Sequence, residues 1–382
     1  MIATQITAEL VRGATELETT ARGVKPHRLP LSVRKRDADA QLAMVEAQPS
    51  GVRLEFVTEA RSIVIGVHST RMSYVGVDRA RGAVDVVVNG AAWLSHVLAA
   101  GDSIEIDMQS GNSALVAGDT DRIVIDGLAG GEKLVEVWLP HNETVELVSL
   151  ESDLPLVPRD ENRRVWLHHG SSISHGSNAT SPTRIWPAVA AQQAGVSLQN
   201  LGFGGSALVD PVMARVIRDT PADVISLKLG INVVNFDAMR LRSFVPAVHG
   251  FLDAIRDGHP TTPILLVSPI YCGIHEDTPG PGVIDPASFA SGNMRFVADG
   301  QAGDTAQGRL TLQVIRAALA DIVAARSDDA HLSYLDGLEL YGEQDAETLP
   351  LPDALHPDTE THELIGERFA AAAFGANGAF SG

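Results

Sequence analysis

From about residue 51 to 151, apolar positions come in short runs that alternate with polar ones or carry β-branched residues. VRLEFV, SIVIGVH, MSYVGV, AVDVVVNG, DRIVIDG, KLVEVWL and ETVELVSL are separated by Gly, Asp, Asn and Pro turns. Closely spaced short strands with no helical pattern between them predict an antiparallel sandwich or jelly roll. Residues 1–50 lack this rhythm, and QITAELVRGATELETT fits either one helix or a first strand. LESDLPLVPRDENRR, residues 150–164, carries two prolines and many charges, as a domain linker does.

Beyond the linker the period changes. VWLHHG, SLQNLGF, DVISLKLG, TPILLVSPI and HLSYLDG are short, apolar and β-rich, as strands buried on both faces are. Helical patterns lie between them: PTRIWPAVAAQQAG, PVMARVIRD, FVPAVHGFLDAIRDG and RLTLQVIRAALADIVAARS, with HELIGERFAAAAFG last. Strand and helix alternating about five times predict a parallel α/β sheet covered on both sides, with ligands at the carboxyl ends of its strands. The expected division is an all-β accessory domain at 1–155 and an α/β domain at 156–382. The stretch 272–305 is long, Gly/Pro-rich and weakly periodic, and its place after the fourth strand sets it over the ligand edge.

Length supports two domains, since 382 residues exceed a comfortable single core. A net charge of -19 disfavours a nucleic-acid role, which needs a concentrated basic surface. The basic residues from Lys25 through Arg28 to Arg34-Lys35-Arg36 read as a solvated loop, being free of interleaved aromatics. The one cysteine, Cys272, excludes an intrachain disulfide and a multi-cysteine zinc site, and reads as a buried or half-buried thiol. The first residues lack a signal peptide's basic start and apolar core, and no run of about 18 apolar residues exists. The expectation is a cytoplasmic protein with no membrane and no nucleic-acid partner.

The chemistry concentrates in HHGSSISHG, residues 168–176, at the end of the first α/β strand. A phosphate loop does not fit: five residues separate Gly170 from Gly176 and no lysine follows. A metal site fits poorly, because His168 and His169 are adjacent on a strand and face opposite sides. A nucleophile turn needs a base and a carboxylate to orient it. DALHP supplies both, Asp353 and His356, three residues apart in a loop before the last helix. NLGFGGS ends the second strand with glycines that expose an amide, and KLGINVV ends the third with Asn232 as a side-chain donor. Read singly, each has a bland explanation: a helix cap, an Asx turn, a flexible turn, a capping amide. Four such loops in order at strand ends make a stronger case.

Together these blocks resemble the SGNH hydrolase superfamily, also called GDSL esterases, over roughly residues 163–375. GSSIS places Ser172 at the nucleophile position, NLGFGG places Gly205 at the oxyanion glycine, GIN gives Asn232, and DxxH gives Asp353 and His356. The usual Asp before the nucleophile is Ser171 here. The usual Asp after the asparagine is Val233, which bears on how the Asn232 loop is held. The resemblance implies a flavodoxin-like three-layer sandwich with a central, mostly five-stranded parallel sheet. It implies a Ser172–His356–Asp353 triad, an oxyanion hole of the Ser172 and Gly205 amides with the Asn232 side chain, and no cofactor or metal.

A β-sandwich before such a domain is similar to the arrangement of certain carbohydrate acetylesterases. The expected substrate is a short-chain acyl ester, acetyl first, of a small molecule or oligosaccharide, and homo-oligomers are compatible with the sequence. O-acyl transfer by the same triad and a silent glycan-binding protein are the alternatives. His169, His175, Tyr271 and His275 are candidates for substrate contact. His249, His259 and His331 read as surface residues, and Trp186 as a packing group.

Overall fold

The computed structural model describes residues 1–76, 80–107, 110–160, 162–291 and 294–381. The chain divides into two compact units, Met1–Arg163 with Thr180–Arg184, and Arg164–Ala179 with Ile185–Gly382. Among the described residues no helix is long and apolar enough to cross a membrane.

The first unit is β-rich. One sheet runs Ser113–Val116, Asp102–Ile106, Ile63–Tyr74, Thr144–Ser152, Val24–His27, Glu16–Thr19, with Ile2–Ala3 and Asp121–Ile125 paired to its long strands. The other runs Leu156–Pro158, Arg53–Thr58, Lys133–Trp138, Ala83–Val88, Ala91–Val97, with Val11–Arg12 beside Arg53–Thr58. Alternation turns Leu54, Phe56, Val135 and Val137 of one sheet toward Ile63, Ile65, Val67, Ile123 and Leu147 of the other, and all are buried in one core.

Several local readings change here. SIVIGVH and MSYVGV form one strand as far as Tyr74, and Val77 lies outside the described residues. The N-terminal segment supplies short strands, not a helix. The basic stretch is not a solvated loop. It forms the strand Val24–His27 and the helix Leu31–Arg36, and Arg28 between them is fully buried, its Nη2 donating to the Val45 carbonyl. Burial brings the Arg28 guanidinium down to about 9. The proline-rich segment joins the sheet; Glu161 within it lies outside the described residues. Leu156–Pro158 pairs with Arg53–Thr58, and Arg159 and Arg163 donate to the buried carboxylate of Glu55 at 3.1 and 2.6 Å.

In the second unit five strands make the sheet: β1 (Val165–Gly170), β2 (Ser197–Gly202), β3 (Val224–Lys228), β4 (Ile264–Val267) and β5 (Leu332–Leu335). Their order is β2-β1-β3-β4-β5 and every pair is parallel. This is the α/β architecture expected from the alternating pattern. The alternation of β1 sorts its side chains. Trp166 and His168 face the helices Trp186–Ala194 and Thr359–Phe369, where Trp166 stacks on Phe369 at 5.1 Å and Trp186 meets His168 edge-on at 4.6 Å. His169 faces the other layer, stacked 6.1 Å from Phe251 of the helix Leu241–Arg256.

Burial holds several imidazoles in this unit neutral, His169 and His362 among them. His169 Nδ1–H donates to the Leu201 carbonyl at 2.8 Å, and His362 Nε2–H donates to the Ser177 carbonyl at 3.0 Å. Burial lowers both to about 4 from an ordinary 6.5. Between those values the unfolded chain takes up protons that the folded chain does not, so acidification favours unfolding. Stability is therefore full above pH 6.5 and falls as pH drops toward 4. The two groups together should cost about 4 kcal/mol at pH 5. Denaturant unfolding of this unit at pH 7.5 and pH 5.0 checks this, and equal stability at the two values would contradict it.

Candidate active site

The carboxyl edge of the sheet is built around β1. Ser171 caps a single turn, α1 (Ser172–His175), its side chain accepting from the Ile173 amide at 3.4 Å, and Gly176 ends the turn at φ +109°. The turn lies hard against the strand ends: a Cβ on Gly170 would strike the Ser174 side chain, and one on Gly202 would strike the Ser174 and His175 backbone. Those two glycines let α1 settle on the sheet.

Buried polar groups then key the turn to three strands. Trp166 Nε1–H donates to Ser226 Oγ at 2.8 Å, His168 bonds Ser226 Oγ and Ser174 Oγ at 2.7 Å each, and Asn200 Nδ2 donates to the Ser174 carbonyl at 3.0 Å. Within this buried frame Ser172 keeps a half-buried side chain.

The structure brings Ser172, His356 and Asp353 into one series. Ser172 Oγ lies 2.9 Å from His356 Nε2, and His356 Nδ1 lies 2.8 Å from Asp353 Oδ2. Burial pushes the Asp353 carboxyl up, but hydrogen bonds from the His356 imidazole and the His356 and Leu355 amides outweigh it, leaving the group below the ordinary aspartate value. An ionised carboxylate only accepts, so His356 Nδ1 carries the ring proton and Nε2 is free to accept from the Ser172 hydroxyl. The amides of Leu355 and His356 donate to Asp353 Oδ1 at 2.9 and 2.6 Å, and Asn178 Nδ2 donates to Oδ2 at 3.1 Å. The tight return of the chain puts Ala354 at φ +68°.

Two groups from the segment after β4 brace that turn. The Phe296 amide donates to the Asp353 carbonyl at 2.8 Å, and the Cys272 thiol reaches the Ala354 carbonyl at 3.4 Å. Burial, with the Glu276 carboxylate adding, pushes the Cys272 thiol up to about 12, so it stays an S–H donor. The thiol is buried, as read from sequence.

Asn232 sits in the short helix Ile231–Asn235 after β3 and is buried. Its Oδ1 accepts from the Ala207 amide at 3.1 Å, which leaves Nδ2 as the side chain's donor and ties this loop to the one carrying Gly205. Gly205 has φ +71°, a conformation that favours glycine. Val233, where the usual pattern has Asp, is a fully buried core residue, and the Ala207 bond helps hold the loop.

Of the four substrate-contact candidates, three are buried. His169 is 1% exposed beneath the sheet, and His275 is fully buried between the Thr278 carbonyl and Asn235 Oδ1. His175 is 5% exposed within α1. Tyr271 lines a cavity of about 530 Å³ with Glu276, Arg316, Leu338 and Glu343. His259 is buried rather than on the surface, its Nε2 bonded to the Ile217 and Thr220 carbonyls. Asn178 and Phe296 escaped the sequence reading: both act on the Asp353–His356 turn from far along the chain, and neither belongs to a motif.

A serine, an imidazole and a carboxylate in hydrogen-bonded series at the carboxyl edge of a parallel sheet are the groups that acyl transfer uses. Residues 163–273 match the GDSL-like lipase/acylhydrolase family, a likeness to SGNH hydrolases over that segment of the second unit. It is an enzyme of the acylhydrolase type.

Among solved structures it is similar to the salicylyl-acyltransferase SsfX3 from a tetracycline biosynthetic pathway, at 27% identity over 96% of this chain and 95% of that one, with a TM-score of 0.78. A Bacteroides ovatus protein assigned as a GDSL-like lipase shares the fold at 17% identity, covering 94% and 93% of the two chains with a TM-score of 0.66. A family two carbohydrate esterase from Clostridium thermocellum, solved with cellohexaose, shares it at 16% identity over 84% and 91%, with a TM-score of 0.54. No curated protein matches the chain.

Proposed function

We propose that the protein is a serine esterase acting on short-chain acyl esters, acetyl first among them, with a carbohydrate hydroxyl as the alcohol part. The observation that carries this reading is the Ser172–His356–Asp353 series, with its 2.9 and 2.8 Å links. Ser172 Oγ attacks the ester carbonyl while His356 Nε2 takes its proton, and Asp353 steadies the imidazolium that forms. The oxyanion is held by the Ser172 and Gly205 amides and by Asn232 Nδ2, whose aim the Ala207 bond fixes. Collapse expels the alcohol, which recovers the proton from His356, and leaves Ser172 acylated. Water then repeats the sequence and releases the acid.

A short acyl group suits the segment after β4, which is rich in Gly, Pro, Asp and Ser and in which Gly282–Ile284 pairs with Phe296–Ala298 as a small hairpin. The carbohydrate part follows the esterases that share the two-unit fold. O-acyl transfer to a hydroxyl is a second reading, favoured by the likeness to a salicylyl-acyltransferase at 27% identity. A silent binding protein is disfavoured, because the serine, imidazole and carboxylate are all present and in hydrogen-bond contact.

A panel of acetylated sugars and short- and long-chain aryl esters tests the substrate class. Acetate release from the sugars and from short aryl esters, falling with chain length, is expected. A preference for long-chain esters would overturn the acyl assignment. In the same assay Asn232→Ala should lower kcat by roughly two to three orders of magnitude, the loss of about 3 kcal/mol of oxyanion stabilisation. An unchanged kcat would remove Asn232 from the oxyanion hole.

A further inference from the structure

The run FVA is the apolar strand signal between Met294 and Gly300, inside a Gly/Pro-rich segment. It pairs antiparallel with Gly282–Ile284, in the register Gly282 with Ala298, Val283 with Val297 and Ile284 with Phe296. Period-two alternation separates the faces: Val283 and Val297 are each 37% exposed, while Phe296 and Ile284 turn the other way and are half-buried. The hairpin is fixed at its base, since Gly282 abuts the Asn235 side chain and His275 Nε2 lies 3.3 Å from Asn235 Oδ1. At its other end the Phe296 amide holds the Asp353 carbonyl, and the phenyl ring meets the His356 imidazole edge-on at 5.6 Å and 76°.

That ring is apolar surface beside the one group that must receive the proton of whatever attacks the acyl-enzyme. The His356 side chain is 14% exposed, and the Phe296 ring covers part of it. We infer that Phe296 determines acceptor specificity: it sets how acylated Ser172 divides between water and an alcohol, and favours an alcohol presenting a C–H face, such as a sugar ring. The inference rests on the serine mechanism proposed above. In the step concerned, the acceptor O–H proton passes to His356 Nε2 as its oxygen bonds the acyl carbon. The Ser172 Oγ–acyl bond then breaks, and Oγ regains the proton from His356. Water yields the acid and an alcohol yields a new ester, with no further reactant. Water gains nothing from a phenyl neighbour, whereas carbon groups on an alcohol bury apolar area against it, a difference of about tenfold for a contact of this size.

The test is a partition measurement on the full chain. With an aryl acetate as donor and a methyl glycoside as acceptor, the ratio of acetylated glycoside to free acetate is read at fixed acceptor concentration. Both products come from one acyl-enzyme, so the ratio is independent of the acylation rate and of the fraction of enzyme folded. Phe296→Ala keeps the backbone bond to Asp353 and removes only the ring; it should lower the ratio about tenfold. Phe296→Leu, which restores apolar bulk, should recover most of it. A ratio unchanged in Phe296→Ala, or no transfer product from the wild-type protein, would overturn the inference while leaving Ser172 as nucleophile. A fully active Ser172→Ala variant would instead remove the reading on which the inference rests.

Discussion

Ser172→Ala is expected to lower kcat for an activated acetyl ester by roughly six orders of magnitude, the scale lost when the nucleophile of such a series is removed. The side chain's own contact is the 2.9 Å link to His356, while the backbone bonds of the turn, from Gly176 and Ser177 to the Ser172 carbonyl, do not involve it. Alanine is also a better helix former than serine. The variant should therefore fold as the wild type does, with circular dichroism unchanged, and be inert. A variant keeping a tenth of wild-type turnover would show that the ester is opened elsewhere.

Asp353→Asn is the second large effect, expected to cut kcat by roughly four orders of magnitude. The wild-type carboxylate accepts through both oxygens: Oδ1 from the Leu355 and His356 amides, Oδ2 from His356 Nδ1–H and Asn178 Nδ2. Asparagine can keep its carbonyl on the two backbone amides, so the turn survives. Its NH2 then faces His356 Nδ1, which must accept and give its proton to Nε2. An Nε2 that carries a proton cannot take one from Ser172. Steady-state kinetics separate this from a structural defect, since KM should move far less than kcat. The sign of the Asp353 shift adds a constraint. The carboxyl sits below the ordinary aspartate value, so it stays ionised as pH falls through the weakly acid range. Any loss of activity there belongs to other groups.

Much of the site was legible because its parts stand at strand ends in chain order. β1, β2 and β3 end at the Ser172, Gly205 and Asn232 loops, and the Asp353–His356 pair needs only a tight turn. Alternation also told that His168 and His169 face opposite layers, but not that both layers are closed over them. That depends on Trp186 and Phe251, which come from separate helices. Asn178 and Phe296 were silent for a similar reason: one reaches Asp353 through a side-chain amide and the other through a backbone N–H, and neither contact leaves a pattern.

In the first unit the strands Ala91–Val97 and Ser113–Val116 escaped because most of their apolar side chains stay exposed, Trp93 and Leu115 among them, so no clear alternation marks a buried face. Arg28 shows the opposite failure. A basic run reads as solvated, yet this guanidinium is fully enclosed and donates to the Val45 carbonyl.

The central claim is that Ser172 carries the acyl group between donor and acceptor. Acid quenching during the first turnover of an aryl acetate, followed by peptide mass spectrometry, tests it most directly. The account predicts one acetyl group per chain, on the peptide containing Ser172, absent from the Ser172→Ala variant. An acetyl group on another side chain, or turnover with no acylated Ser172 at any quench time, would contradict it.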